Sequence, residues 1–294
     1  MTVQTLLNVK DALLKSAQWL TGKGVSGARL DAELLLGEVL GLKRLELYLK
    51  WDQPLTANER ERYLELLKRR AQFEPIAYIL GCREFFSIEF QVGPGVLVPR
   101  PETEFLVERV LSATKALEAP VIADVGTGSG AIAVALAVNL PGARIVATDL
   151  SEQALAIARE NARAQGVENA IRFVHTSFLD GVGETFDWVV SNPPYIAESE
   201  RETLPPDVVR YEPAGALFSG PDGLDAIRAL IPLAAERVRP GGGVALEIGA
   251  GQAAAVRDLF ESGGRFEAVD VTHDYQGIER VVAARRREST ERIG

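Results

Sequence analysis

Cysteine is nearly missing from this chain: Cys82 is the single one in 294 residues, which excludes an internal disulfide. Histidine is almost as scarce. His175 and His273 stand far apart, so the sequence spells out no zinc cluster, and both read as structural residues. No apolar run is long enough to span a bilayer. The first residues interleave Lys10, Asp11 and Lys15 with apolar positions at helical spacing, unlike a signal peptide. A cytoplasmic enzyme without a metal or a membrane anchor is the default expectation.

Positive charge is also in deficit. The formal net charge is −9, with 12 Lys/Arg against 10 Asp/Glu in residues 1–80 and 20 against 31 in residues 81–294. Phosphate backbones are gripped chiefly by Lys and Arg, so the acidic main part argues against stable nucleic-acid binding. No exposed heptad is present, and a monomer is expected.

What the chain does have is periodicity. From Val3 to about Phe73 apolar residues fall at helical spacing. Leu6, Leu7, Leu13, Leu14 and Leu20 mark a first helix, and Ser26 is placed to cap a second that stops at Gly41. A short piece covers Leu45 to Leu49, and Thr56 caps a charged helix over residues 58–72. This predicts a helical domain over residues 1–80. It carries no catalytic constellation and suits either a structural cap or a partner-docking module.

Between Glu84 and Val98 the pattern changes to β-type alternation around Gly93-Pro94-Gly95, predicting a hairpin linker over residues 81–98. Pro99 to Glu104 then opens a helix, with Glu102 and Glu104 suited to the positive end of its dipole. Residues 99–294 read as alternating strands and helices that finish in a β-hairpin. A Pro240-Gly241-Gly242-Gly243 turn precedes the strand at Val244, and Arg285 to Arg287 read as a solvated end. Residues 196–222 form a long, lid-like loop.

Three strand ends converge in this part. Val121 to Val125 runs into Gly126-Thr127-Gly128-Ser129-Gly130 and a helix, a loop in which glycine lets backbone approach a ligand and helix N–H groups face an anion. The loop also fits a nicotinamide dinucleotide fingerprint, but Asp124 would repel a pyrophosphate and suits the ammonium of a methionine moiety. Asp149, closing the next strand, is placed for a ribose diol. Phe178, after the third, can pack on an adenine face or fill the core. The ligand read from these residues is S-adenosyl-L-methionine.

Residues 186–190 then lead into Ser191-Asn192-Pro193-Pro194-Tyr195. Consecutive prolines fix φ and withhold two N–H donors, making a stiff corner at a strand's carboxyl end. The Asn192 side-chain oxygen and the Pro193 carbonyl are two acceptors for a planar –NH2 group, and the Tyr195 ring can lie on its plane.

With Asn192-Pro193-Pro194-Tyr195, the Asp124 to Gly130 loop and Pro99 to Glu104 together, the chain resembles the HemK/PrmC family of release-factor glutamine N5-methyltransferases. Arg29 to Leu35, Glu74 to Tyr78, Glu247-Ile248-Gly249 and Glu279-Arg280-Val281 extend the likeness over almost the whole length. The Asn-Pro-Pro-Tyr motif alone is shared with enzymes that methylate exocyclic amines of nucleic-acid bases. The Pro99–Glu104 element and the helical domain narrow the match.

The resemblance implies a Rossmann-like class I S-adenosylmethionine-dependent methyltransferase fold, with a seven-stranded, mostly parallel sheet. As substrate it implies the glutamine of a Gly-Gly-Gln loop in bacterial class-1 peptide chain release factors. By the same resemblance Gly126 to Gly130, Asp149, Phe178 and Asn192 hold the cofactor, and Asn192 to Tyr195 hold the glutamine. Two departures stand out: Ser177 where many relatives have an acid or amide, and Leu97 where some have a larger aromatic. Competing readings are a glutamine methyltransferase acting on a ribosomal protein, a nucleic-acid amine methyltransferase, and a cofactor-bound assembly factor. The last has no use for the Asn-Pro-Pro corner.

Overall fold

In the computed structural model, which describes residues 7–288, the chain divides into two compact units. Of the described residues, the first comprises 7–81 together with 205–211, and the second 82–204 and 212–288.

The first unit holds α1 (Val9–Thr21), α2 (Ala28–Leu40), α3 (Arg44–Leu49), α4 (Ala57–Ala71) and α5 (Ile76–Leu80). Their apolar faces meet in one core around Leu20, Leu35, Leu36, Leu47, Tyr63 and Leu67. Thr56 caps α4 as expected, forming a reciprocal box with Glu59. Asn8 caps α1, its side chain accepting from Asp11 N, while Val3 to Leu6 lie outside the described residues. One expectation fails at a cap. Gly27, with φ 69°, stands at the start of α2 in place of Ser26, and no side chain caps that end. A short helix, Pro206–Tyr211, returns to this unit from the expected lid. Asp207 reaches Arg70 at 3.4 Å, Arg70 is paired with buried Asp31 at 2.6 Å, and the Tyr211 hydroxyl donates to the Gln72 carbonyl. The stretch 196–222 is therefore largely structured, with further 3-10 segments at Glu198–Thr203 and Ala214–Ala216.

The second unit begins with a hairpin of β1 (Cys82–Phe85) and β2 (Ile88–Gln91). Its turn is Phe86-Ser87, both at positive φ, and not the Gly-Pro-Gly stretch that the sequence suggests. Left-handed residues at both turn positions match the twist of two paired strands. The hairpin groups with the sheet unit and is no separate linker: Asn161 accepts from Gln91 N at 2.7 Å and donates to its carbonyl at 3.0 Å.

Beyond it lies a seven-stranded sheet, in the order β5-β4-β3-β6-β7-β9-β8. Its members are β3 (Val121–Val125), β4 (Arg144–Asp149), β5 (Ile171–His175), β6 (Phe186–Ser191), β7 (Val238–Glu247), β8 (Phe266–His273) and β9 (Glu279–Arg286). The first five are parallel; β9 runs antiparallel to β7 and β8. Helices α6 (Glu104–Thr114), α7 (Ala131–Asn139), α8 (Glu152–Ala164), α10 (Asp225–Arg237) and α11 (Ala253–Ser262) complete the unit, the returning helix counting as α9. β3 and β6 are buried at every position, as parallel strands covered on both faces must be.

Pro240 to Gly243 proves to be part of β7, at the point where its register against β6 shifts. A Cβ at Gly243 would stand 2.6 Å from the Trp188 ring, so glycine there admits the indole. Arg285 and Arg286 are likewise no frayed end. They lie in β9; Arg285 covers the Trp188 ring and donates to the Gly241 carbonyl, and Arg286 donates to that of Val238. Because β4 and β6 flank β3, the chain reverses direction across the sheet there. Open α/β sheets form their ligand crevice at that switch.

Candidate active site

The loop after β3 takes its shape from its glycines. Gly126, Gly128 and Gly130 have φ of 72°, 55° and 81°. A Cβ on either of the first two would meet nothing within 4 Å, so backbone curvature selects glycine there and leaves the loop open to an approaching group. Gly130 has a second duty, since a Cβ would come within 3.0 Å of Ala158 on α8. Asp149 ties this loop to the next strand end. One of its oxygens accepts from Gly128 N at 2.9 Å, the other from Ser151 N at 2.8 Å.

Asp124 lies beneath the loop and does not line the cavity, which corrects the expectation that it faces a ligand directly. It is fully buried, with Oδ2 accepting from Thr127 Oγ1 at 2.6 Å and from Ala133 N at 3.1 Å. Its Oδ1 is buried without a hydrogen-bond partner. Burial pushes this carboxyl up to about 7, against the pull of Thr127 and Ala133.

The corner after β6 sits beside the loop. Ser191 Oγ donates to the Val125 carbonyl at 2.7 Å, pinning one strand end to the other. Asn192 Nδ2 donates to Thr103 Oγ1 at 3.1 Å, so the carboxamide has Oδ1 left to offer as acceptor. Tyr195 departs from the expectation. It does not line the cavity; its hydroxyl donates to Glu247 Oε1 at 3.3 Å and its carbonyl accepts from Gln252 Nε2 at 2.9 Å.

Loop and corner share one cavity of about 520 Å³. Gly126, Thr127, Gly128, Ser129, Asp149, Phe178, Asn192, Pro193 and Pro194 line it, and so do Leu97 and Ser177. Of the residues singled out from sequence, Asp124, Gly130 and Tyr195 lie behind its wall. Phe178 takes a left-handed backbone, φ 46°, to present itself there. Sequence reasoning passes over Thr103, Leu150 and the Arg100–Glu212 pair. Arg100 Nη2 bridges both carboxylate oxygens of Glu212 at 2.7 and 2.8 Å, just before Pro213, which forms part of the wall. In sequence Thr103 is part of a helix start, and nothing local announces a partner 89 residues away. Among the described residues, no group of His, Cys, Asp or Glu could hold a metal ion, and no helix is long and apolar enough to cross a membrane.

Glu247, 1% exposed, is like Asp124 a buried acid with one oxygen, Oε2, lacking a hydrogen-bond partner. Burial raises it to about 7, while the Thr103 and Tyr195 hydroxyls favour the ionised form. Both acids start from ordinary values of 3.8 and 4.5, so between these and about 7 the folded chain holds protons that the unfolded chain has released. Stability from this source is complete below about pH 4 and is lost as pH rises through 7. Between pH 6 and pH 8.5 the melting temperature of wild type should fall by roughly 3 °C more than that of Glu247→Gln. Parallel slopes in scanning calorimetry would contradict it.

Two family descriptions match the chain: PrmC N-terminal domain over residues 11–81 and Methyltransferase small domain over residues 101–209. Among relatives, the release factor glutamine methyltransferase of Chlorobaculum tepidum is 43% identical over 290 residues, covering 95% of this chain and 98% of that one. The protein of the same name from Moorella thermoacetica is 44% identical over 283 residues, covering 96% and 100%. Among solved structures, the catalytic domain of hMettl16, in complex with MAT2A 3'UTR hairpin 6, superposes with a TM-score of 0.59 at 18% identity. It covers 73% of this chain and 83% of that one, a likeness of fold alone.

Proposed function

The chain belongs to the release factor glutamine methyltransferases, S-adenosylmethionine-dependent enzymes, and on that premise we propose how its own residues act. The substrate atom is the side-chain amide nitrogen, N5, of the glutamine in the Gly-Gly-Gln loop of a bacterial class-1 release factor. One observation carries this reading: the Asn192 carboxamide, its nitrogen already committed to Thr103, stands in the same cavity as the open glycine loop.

The residues present suit the cofactor. Gly126 and Gly128 leave their Cβ positions open, Asp149 supplies a carboxylate at the end of β4, and Leu97, Leu150 and Phe178 give apolar surface. Asp124, with an unpartnered oxygen under the loop, favours a cation above it. When bound, S-adenosylmethionine supplies a methyl group made electrophilic by its sulfonium.

An amide nitrogen is a poor nucleophile because its lone pair is delocalised into the carbonyl. The protein's task is orientation and exclusion of water more than acid–base chemistry. Asn192 Oδ1 and the Pro193 carbonyl accept the two amide hydrogens and favour positive charge building on nitrogen. The surplus proton leaves to solvent. Labelled methyl transfer into purified release factor, with a Gln-to-Ala substrate as control, tests the assignment. Label in the Ala substrate would overturn it.

The helical unit serves to recognise the release factor, since a short loop offers few contacts for discrimination. Leu45 and Leu49, one turn apart on α3, are 73% and 80% exposed, with Leu30 and Tyr48 also exposed. Such apolar patches mark interaction surfaces. Replacing both leucines by Asp should raise KM for intact release factor by about tenfold and leave that for a Gly-Gly-Gln peptide unchanged. An equal change for both substrates would refute the docking role. The enzyme acts as a cytoplasmic monomer and forms no stable complex with nucleic acid, in keeping with its acidic sheet unit.

A further inference from the structure

Tyr195 is held by the end of β7 and the loop beyond it. The parallel register sets Ser191 opposite Leu246, which brings Glu247 level with Asn192. Glu247 takes the tyrosine hydroxyl at 3.3 Å, and Gln252 takes its carbonyl at 2.9 Å. Gln252 is itself oriented by Gly249 N, which donates to its Oε1 at 2.8 Å. A Cβ at Gly249 would stand 3.2 Å from the tyrosine ring, and one at Gly223 would stand 2.2 Å from the tyrosine carbonyl. No other side chain fits at Gly223 without moving Tyr195, and one at Gly249 would press on Gln252 Oε1 and the ring.

We infer that Glu247, Gly249 and Gln252 form a clamp on Tyr195 that sets the reach of the Asn192–Pro194 corner into the cavity. Glu247 is thereby a positioning residue for methyl transfer. This rests on the function proposed above. Two prolines separate Tyr195 from Asn192, and each has φ locked, so a displacement at the tyrosine is passed on with little damping. The other end of the corner is held by Thr103 on Asn192, and the Thr103 hydroxyl also bears on Glu247. An acid buried with one oxygen unpartnered is a costly way to fill space, and an apolar side chain would do that better. The charges that bear on Glu247 are Glu102 and Arg280, and those on Tyr195 include Arg100 and Arg280. Neither Glu247 nor Tyr195 lines the cavity, so their effect is on geometry and not on contact with substrate.

The test compares Tyr195→Phe, Glu247→Leu, their combination and Glu247→Gln with wild type. The readouts are kcat and KM on release factor, cofactor Kd and melting temperature. Tyr195→Phe and Glu247→Leu should each lower kcat by about tenfold, with KM and cofactor Kd within about twofold. The double variant should be no slower than the slower single, and Glu247→Gln, which keeps an acceptor, should recover to within about threefold of wild type. Additive losses, an effect on KM alone, or an unchanged kcat for Tyr195→Phe would overturn the inference. Should Glu247→Leu fail to fold, Tyr195→Phe and Glu247→Gln decide. Wild type that does not methylate release factor removes the proposed function and this inference together. Wild type that does, beside variants that match it, removes the inference alone.

Discussion

Asn192→Ala should lower the single-turnover rate of methyl transfer by about 10²–10³-fold while the affinity for S-adenosylmethionine changes by less than about threefold. The substitution removes the oxygen that would accept an amide hydrogen and releases Thr103, whose hydroxyl now holds Asn192 Nδ2 at 3.1 Å. Charge on the nitrogen develops only as the bond to carbon forms, so the loss falls on the rate and not on binding. Asn192→Asp keeps an acceptor, and the Thr103 hydroxyl can turn to donate to it, so part of the rate should return. Rapid-quench measurement with saturating cofactor separates the cases. An alanine variant within about fivefold of wild type would remove Asn192 from the mechanism.

The second large effect is expected at Asp149. Its two oxygens accept from Gly128 N and Ser151 N, so it shapes the glycine loop beside the ligand role proposed for it. Hydrogen bonds to a charged acceptor contribute about 1.5–3 kcal/mol each. Losing both, as in Asp149→Ala, should loosen the loop and raise the cofactor Kd by roughly 10²-fold, with little change in the rate of the bound complex. Titration calorimetry gives the Kd directly. A shift below about threefold would mean that neighbouring residues hold the loop unaided.

The sheet unit was legible because its signals are local. Val121 to Val125 is a continuous buried run, Ser151 precedes a helix that it does cap, and Thr56 does the same in the helical unit. Each depends on residues within a turn or two along the chain. The failures share a cause. Phe86-Ser87 carries no turn signature, yet strand pairing imposes a left-handed backbone there, while Gly93-Pro94-Gly95 looks the better turn. Arg285 and Arg286 look like a solvated tail until β9 is paired with β7 and their side chains meet Trp188 and the Val238 carbonyl.

The candidate site divides in the same way. The glycine loop, Asp149 and the two prolines could be placed because backbone freedom and rigidity are properties of single residues. Tyr195 could not, because whether its ring turns toward the cavity or toward Glu247 depends on the register of β6 against β7.

Residue order alone determined which segments become strands and helices, where the chain must bend, and that a stiff Asn-Pro-Pro corner ends the fourth parallel strand. Tertiary structure decided which distant partners complete that corner: Thr103 on one side, Glu247 and Gln252 on the other. The physical reason is that a strand's alternation says which face a side chain takes but not which neighbour lies across from it. That is set only when sheet order and register bring chain-distant atoms within hydrogen-bonding distance.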